Sequence, residues 1–383
     1  MYNNTIPESR QVDVLKDLDK SGRERPWALH KAEAMVLAQG YKWTMKGAKG
    51  ARVQSCADNL HFEVNQDGSL KLASAKFCRV RLCPICQWRR SLKTYSQVQQ
   101  VVKYLAERRI AAHHKPYEYI MLTVTVPNVD GIDLSHELNL IHRGWQRIMQ
   151  RKNVARIAKG WVRATEVTYN AKNDTWHPHI HAIIAVNASY FSDTRVYISQ
   201  PEWLEYWRDA MRCPRITQVD IRRTYGTPEK ACAEISKYAC KPSDYVDASD
   251  LDKMAYLLDT LDETLTHRRF LAWGGTLKDA HKALDLDDAE NGDLIHIGDE
   301  LEAASAAGKL AEWTWAPGPH VYIRVHPKTG QNAPIWDYWA HFFANKGGFY
   351  AIRRYAARCP ALRFGHNSPR RYRPHCARTW GPV

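Results

Sequence analysis

The run Trp176-His177-Pro178-His179-Ile180-His181-Ala182-Ile183-Ile184-Ala185-Val186 sets a histidine at every second position and leads into an unbroken apolar segment. Period-two alternation is the mark of a strand, so His177, His179 and His181 share one face and the apolar end is buried. Upstream, Trp161-Val162-Arg163-Ala164-Thr165-Glu166-Val167-Thr168-Tyr169 reads as a second strand, and the polar segment 170–175 as the turn between them. An antiparallel hairpin centred on Lys172 and Asn173 sets Glu166 directly opposite His179, on the histidine face. Two imidazoles and a carboxylate with open coordination positions suit a divalent cation, Mg²⁺ or Mn²⁺, used as a Lewis acid, with His177 a further candidate ligand. The ligand set depends on the register, because a slip of one residue turns Glu166 to the other face.

Around this hairpin the chain alternates strand and helix patterns. Tyr117-Glu118-Tyr119-Ile120-Met121-Leu122-Thr123-Val124-Thr125-Val126-Pro127 reads as a central strand stopped by its proline. Leu134, Leu138, Ile141, Trp145 and Ile148 mark an amphipathic helix, as do Tyr95, Val98, Val101, Val102 and Leu105 earlier in the chain. Residues 201–212 read as a helix and 216–221 as a strand. A helix follows from Pro228 to Lys241, with proline in its first turn and Pro242 as its stop. On it Glu234 and Tyr238 stand four residues apart on one face, and Lys241 follows three residues on. A phenol is a poor nucleophile unless a cation favours its phenolate, which a metal-polarised phosphate and Lys241 can supply, while Glu234 can take a proton from Tyr238 or water. Taken alone, such a triplet is ordinary surface decoration; the histidine hairpin gives it a reacting centre.

Cys56, Cys78, Cys83 and Cys86 provide four thiols, with a C-x-x-C knuckle at the last pair and a short hairpin about Asp67-Gly68 between the first two. This is the way a zinc ribbon brings distant ligands together, and structural Zn²⁺ is the expectation, with His61 a possible substitute for Cys56. Reduced buried thiols are the plain alternative. Arg79, Arg81, Arg89 and Arg90 surround the knuckle and are candidates for phosphate contact, as are Arg370, Arg371 and Arg373, which alternate with aromatic residues near the end of the chain. With 55 Lys and Arg against 41 Asp and Glu, the formal charge is +14, which favours a polyanion as partner. No apolar run reaches the roughly 18 residues a membrane span requires and no secretory signal opens the chain, so a cytoplasmic protein without a membrane partner is expected.

In order and combination, Met121-Leu122-Thr123-Val124-Thr125-Val126-Pro127-Asn128, His177-Pro178-His179-Ile180-His181 and Glu234-Ile235-Ser236-Lys237-Tyr238-Ala239-Cys240-Lys241 resemble the three motifs of plasmid rolling-circle replication initiators, members of the His-hydrophobe-His (HUH) endonuclease superfamily. The cysteine cluster and the Gly275-Thr276-Leu277-Lys278 turn resemble that family too, and the likeness spans roughly residues 50–285. It implies an α+β fold: a ferredoxin-like nuclease palm with a central antiparallel sheet, a zinc-ribbon-like N-terminal insertion and a basic C-terminal extension. It also implies His179 and His181 as metal ligands with Glu166 as the third, Tyr238 as nucleophile, and Glu234 as the group that activates water to end the cycle. The activity implied is nicking and rejoining of single-stranded or extruded origin DNA through a 5′-phosphotyrosine, leaving a 3′-OH that primes synthesis, with host helicase and polymerase as further partners.

The expected organisation is 1–110, an N-terminal region with the cysteine cluster; 111–248, the nuclease domain; 249–310, a helical and acidic connector; and 311–383, a basic aromatic region. Removal of zinc is expected to unfold the cysteine region without altering the nuclease chemistry. Three other readings remain: a phage or transposon nickase of the same superfamily, a histidine-triad nucleotide hydrolase in which Tyr238 is irrelevant, and a non-catalytic zinc-ribbon DNA-binding regulator, which leaves the hairpin unexplained.

Overall fold

The computed structural model describes residues 13–224, 232–233, 235–236, 240–297 and 309–325. It is a mixed α+β fold built on two antiparallel sheets. The larger has the strand order β6-β3-β5-β4-β7, with β3 (Glu118–Thr125), β4 (Gly160–Asn170), β5 (Thr175–Val186), β6 (Val219–Arg223) and β7 (Leu271–Gly274). The smaller has the order β2-β1-β8-β9, with β1 (Asn59–Val64), β2 (Leu70–Ala75), β8 (Lys309–Ala316) and β9 (Val321–Val325).

Alternation along β5 separates the two faces of the larger sheet. Ile180, Ala182, Ile184 and Val186 are buried against α4 (Leu134–Gln150) and α6 (Gln200–Met211), in one core with Leu138, Ile141, Trp145, Trp203 and Trp207. The five apolar positions of α4 read from the sequence are all buried, so its 3.6-residue stripe does meet the sheet. A capping box at Ser199 and Glu202 starts α6, satisfying two backbone donors at its first turn. On the opposite face, Ile183 and Ala185 pack with Val162 and Ala164 under Val98, Val101, Val102 and Leu105 of α3 (Pro84–Ala111) and Leu277 of α8 (Gly275–Ala283). Cys232 and Ile235 are buried in this second core as well. The histidine face is therefore the α3 face.

Gly275 shows why the chain can turn into α8 where it does. Its φ is +54°, and a Cβ there would stand 2.5 Å from the Lys159 carbonyl oxygen. Only glycine avoids both the left-handed strain and the clash.

Before the smaller sheet, α2 (Gly47–Gln54) packs against α1 (Trp27–Lys42), where Gly50 approaches the Tyr41 Cβ. Two sequence expectations change. The boundaries at 110 and 311 do not divide the chain, because β8 pairs along β1 from Asn59↔Thr314 to Val64↔Lys309, and Cys56, Cys83 and Cys86 share a core with β3, β5, α4 and Tyr245. The acidic stretch after Asp285 is no solvated connector as far as residue 297. Glu290 Oε1 accepts the Phe270 and Leu271 backbone N–H groups at 2.6 and 2.8 Å, and Lys93 Nζ donates to Asp287 and the Asp293 carbonyl.

No helix among the described residues is long and apolar enough to cross a membrane.

Candidate active site

The β4–β5 hairpin has the register that aligns its chemistry. Glu166 pairs with His179, Ala164 with His181 and Thr168 with His177. Glu166 Oε2 lies 3.2 Å from both His179 Nε2 and His181 Nε2, and Lys241 Nζ stands 3.4 Å from the other carboxylate oxygen. The carboxylate is thus divided, one oxygen toward the imidazoles and the other toward the ammonium group. Burial alone would raise the Glu166 pKa, but the hydrogen bonds with His179 and His181 and the charges of His179 and Lys241 hold it well below the usual carboxylate range.

The far side of each imidazole is also fixed. His179 Nδ1 donates to the His177 carbonyl oxygen at 3.2 Å, so the neutral ring keeps an Nε2 lone pair for a cation, and a hydrogen bond from Nε2 to Glu166 belongs to the doubly protonated ring. His181 Nδ1 is 3.0 Å from Thr123 Oγ1, and Thr123 is the β3 residue paired with His181. Outer partners of this kind orient the rings of metal-binding histidines. Thr123 was absent from the expected site; its signal is the threonine alternation of Thr123-Val124-Thr125, whose hydroxyl positions lie across from His181 and His179.

Ligand atoms of Glu166, His179 and His181 all lie within 4.8 Å of one another. Neighbouring ligands about 2.1 Å from an octahedral cation are separated by roughly 3 Å, so the 3.2 Å spacings fit such an ion. His177 falls outside this group. Its ring centroid is 5.3 Å from that of His179, which makes it a neighbour of the cluster.

The four cysteines form the second cluster, their sulfurs also within 4.8 Å of one another. Cys56 Sγ and Cys78 Sγ each lie 3.7 Å from Cys86 Sγ. A tetrahedron with Zn–S of about 2.3 Å has edges of roughly 3.8 Å, whereas a disulfide needs about 2.05 Å, so the spacing fits zinc and excludes a bridge. Hydrogen bonds from Cys56, Cys78 and Cys83 hold the Cys86 thiol well below its usual range, while Cys56 and Cys83 are raised. His61 lies outside this group.

The candidate phosphate ligands divide. Arg89 is wholly buried, donating from Nε and Nη2 to the Leu294 and Ile295 carbonyls at 2.8 Å, so it cannot meet a phosphate and its expected role is corrected. Arg79, Arg81 and Arg90 instead line a surface groove. The Gly275 turn is taken up by packing, since Thr276 N donates to the Lys159 carbonyl. Tyr245, the next tyrosine beyond Pro242, is buried with its hydroxyl donating to the Leu82 carbonyl at 2.6 Å, so it is no nucleophile. Glu234, Tyr238, Arg370, Arg371 and Arg373 lie outside the described residues. Their described neighbours are Ile235, buried on the histidine face, and Lys241, at Glu166.

A family model described as "Replication protein" matches residues 69–323. The chain is similar to "Protein rep" of Bacillus amyloliquefaciens, 36% identical over 337 residues that cover 81% of this chain and 97% of that protein. "Protein rep" of Streptococcus pneumoniae serotype 2 is 34% identical over 309 residues, covering 78% of this chain and 92% of its own. A third "Protein rep", from a Bacillus species, is 38% identical over 269 residues, covering 65% and 85%. No solved structure matches.

Proposed function

This chain belongs to the replication protein family of the plasmid rolling-circle initiators, and on that premise we propose that it nicks and rejoins one strand of origin DNA by tyrosine transesterification. The observation that carries the reading is the convergence of Glu166, His179 and His181 on the sheet face where Ile235 is buried and Lys241 reaches Glu166.

In this reading Glu166, His179 and His181 hold Mg²⁺ or Mn²⁺. Bound there, the cation supplies Lewis-acid polarisation of the scissile phosphate. Tyr238 Oη forms a bond to phosphorus as the P–O3′ bond breaks, giving a 5′-phosphotyrosine and a 3′ oxygen that takes up a proton and becomes the primer. The phenolic proton passes to Glu234 or to water. Lys241 sets a positive charge beside the carboxylate and favours the phenolate and the charge that develops on the transferred phosphate. One phosphoester replaces another, so nicking and rejoining need no nucleotide. Glu234 then directs water, or a second attacking hydroxyl, at the phosphotyrosine to release the protein.

The cysteine quartet holds structural zinc in the same proposal, and the organisation is a ferredoxin-like nuclease palm with a zinc-ribbon-like insertion. Origin recognition is assigned to basic surfaces including Arg79, Arg81 and Arg90, and to the C-terminal Arg370, Arg371 and Arg373. A histidine-triad hydrolase would need a free histidine nucleophile, whereas His179 and His181 both have Nε2 directed at Glu166. The test incubates the protein and a Tyr238→Phe variant with supercoiled origin plasmid and Mn²⁺ or Mg²⁺. Nicked circles with protein attached at the 5′ end are expected from the native chain, with the adduct lost in the variant. An adduct formed equally by both removes Tyr238 as nucleophile.

A further inference from the structure

A groove of about 640 Å³ opens between the loop around the cysteine cluster and the turn that joins α7 (Leu251–Leu265) to β7. Lys49 and Arg52 line it from α2, Arg79, Arg81 and Arg90 from the cysteine loop and the start of α3, and Arg268 and Arg269 from the turn. The carboxylates in its wall are Asp262 and Glu290, so seven fixed positive charges face two negative ones.

How these cations are held decides what the groove can bind. Arg52 Nη2 donates to the Cys78 carbonyl at 2.5 Å, and Arg79 Nη1 to those of Asn291 and Gly292 at 2.6 and 2.9 Å. Arg90 donates to the Glu290 and Arg79 carbonyls, and Arg268 to Ser135 and the Asn139 side-chain oxygen. A neutral oxygen positions a guanidinium without cancelling its charge, whereas a carboxylate cancels it. Arg195 and Arg222, outside the groove, show the contrast: Asp193 and Asp220 stand 2.9 Å from them. Within the groove Lys49, Arg81 and Arg269 are paired in that way, to Asp262, Glu290 and Asp288. The remaining forks are preorganised and carry charge to spare, which is what a chain of phosphates requires.

The groove also shares a wall with a cavity beside the strand that carries Glu166. Arg81, Arg90 and Glu290 line, in addition, an inner cavity of about 60 Å³ bounded by Ala164 and Thr165, adjoining Glu166, and by Ile235 and Ser236. The geometry points to a track for the DNA phosphodiester backbone, in which Arg52, Arg79 and Arg268 hold phosphates flanking the nicked bond and direct the strand along Arg81 and Arg90 toward the Glu166 hairpin. The assignment rests on the reading of the chain as a DNA nickase, and it adds to that reading the route by which DNA reaches the site.

The test measures the salt dependence of binding by fluorescence anisotropy, using the full chain with Tyr238→Phe to prevent turnover. The probes are a labelled mixed-sequence single strand and its duplex. Arg52→Ala with Arg79→Ala removes two exposed groove charges; Arg52→Lys with Arg79→Lys retains them; Arg195→Ala with Arg222→Ala removes two outside it. Each lost phosphate contact lowers the log–log salt slope by about 0.7 on a single strand and about 0.9 on a duplex, so the groove alanine pair should lose roughly 1.4 or 1.8. The lysine pair and the outside pair should keep the native slope. A response of the single strand alone assigns the track to unpaired DNA, and of the duplex alone to the paired flank. An unchanged slope in the groove alanine pair, or an equal fall in the outside pair, overturns the track. Adduct formation by the native chain is scored in parallel. Its absence with a reduced slope defeats the nickase reading and leaves the DNA track standing, and its presence with an unchanged slope does the reverse.

Discussion

Glu166 is a residue whose chemistry follows from its neighbours, since an isolated carboxylate so buried would tend to protonate, and here two imidazoles and an ammonium group keep it ionised. His142 shows the opposite balance on the other face of the sheet. Its Nε2 is 3.0 Å from Thr165 Oγ1, and Arg163 Nη1 donates to the same hydroxyl at 2.9 Å. Burial first, then the charges of Arg163 and Arg268, push the His142 pKa down to about 3. Between about pH 6.5 and that value the unfolded chain binds a proton that the folded chain refuses, so this group makes stability fall as pH falls. The expected loss is on the order of 1 kcal/mol from pH 7 to 5.5. His142→Gln should flatten that part of the dependence; parallel shifts of the urea midpoint in both proteins would refute it.

At the scale of elements, α3 connects the two clusters. Its 28 residues, about 42 Å at 1.5 Å per residue, begin beside Cys83 and end over the histidine face. Tyr245 makes a second tie: its hydroxyl donates to the Leu82 carbonyl and accepts from Gln87 Nε2 at 2.5 Å, joining the flanks of the cysteine knuckle to the chain that follows Lys241. The expectation that zinc can be lost without affecting the nuclease conflicts with this shared core. Chelation of zinc from the reduced protein should lower the melting temperature of the whole chain and the nicking rate together. Full nicking after verified zinc loss would contradict it. Tyr245→Phe should retain the zinc and cost about 1–3 kcal/mol, read from denaturant unfolding, because two buried partners lose their hydroxyl.

Over the whole molecule, the order of the chain and its order in space diverge most in the smaller sheet. Residues 309–325 close it against β1, with Trp313 edge-on to Phe62 at 5.5 Å and Tyr322 Oη donating to the Ala57 carbonyl at 2.7 Å. Residues 13–15 add to its far edge through Val14↔Ile323. Ending the chain at residue 308 would expose Phe62 and remove Trp313, Tyr322 and Ile323, each worth about 1.5–3 kcal/mol when buried. That sum is comparable with the roughly 5–15 kcal/mol margin of a folded domain. The truncated chain should therefore be insoluble or melt well below the full chain, and an unchanged melting temperature would show that the sheet closure contributes little.

Much of the site was legible because its geometry is local. The hairpin has a short turn and strict alternation, so the partners of His179 and His181 follow from counting along two adjacent strands, and the C-x-x-C knuckle is equally close in sequence. Periodicity alone likewise marked α3 and α4. What the sequence could not disclose depends on pairings across long separations. The fate of Arg89 is decided by carbonyl groups more than 200 residues away, and β1 finds β8 across a similar gap. Basic residues that all looked like phosphate ligands were sorted by the fold into those buried by the acidic segment and those left facing a groove. By itself the sequence determined the α+β class, the register of the histidine hairpin and the membership of the Glu–His and cysteine clusters, because side-chain alternation and short turns fix contacts between neighbours. Only the tertiary structure decided which arginines stay exposed, that His177 stands aside, and that the cysteine cluster shares a core with the face of the hairpin opposite the histidines, because burial and charge pairing depend on what distant segments bring together.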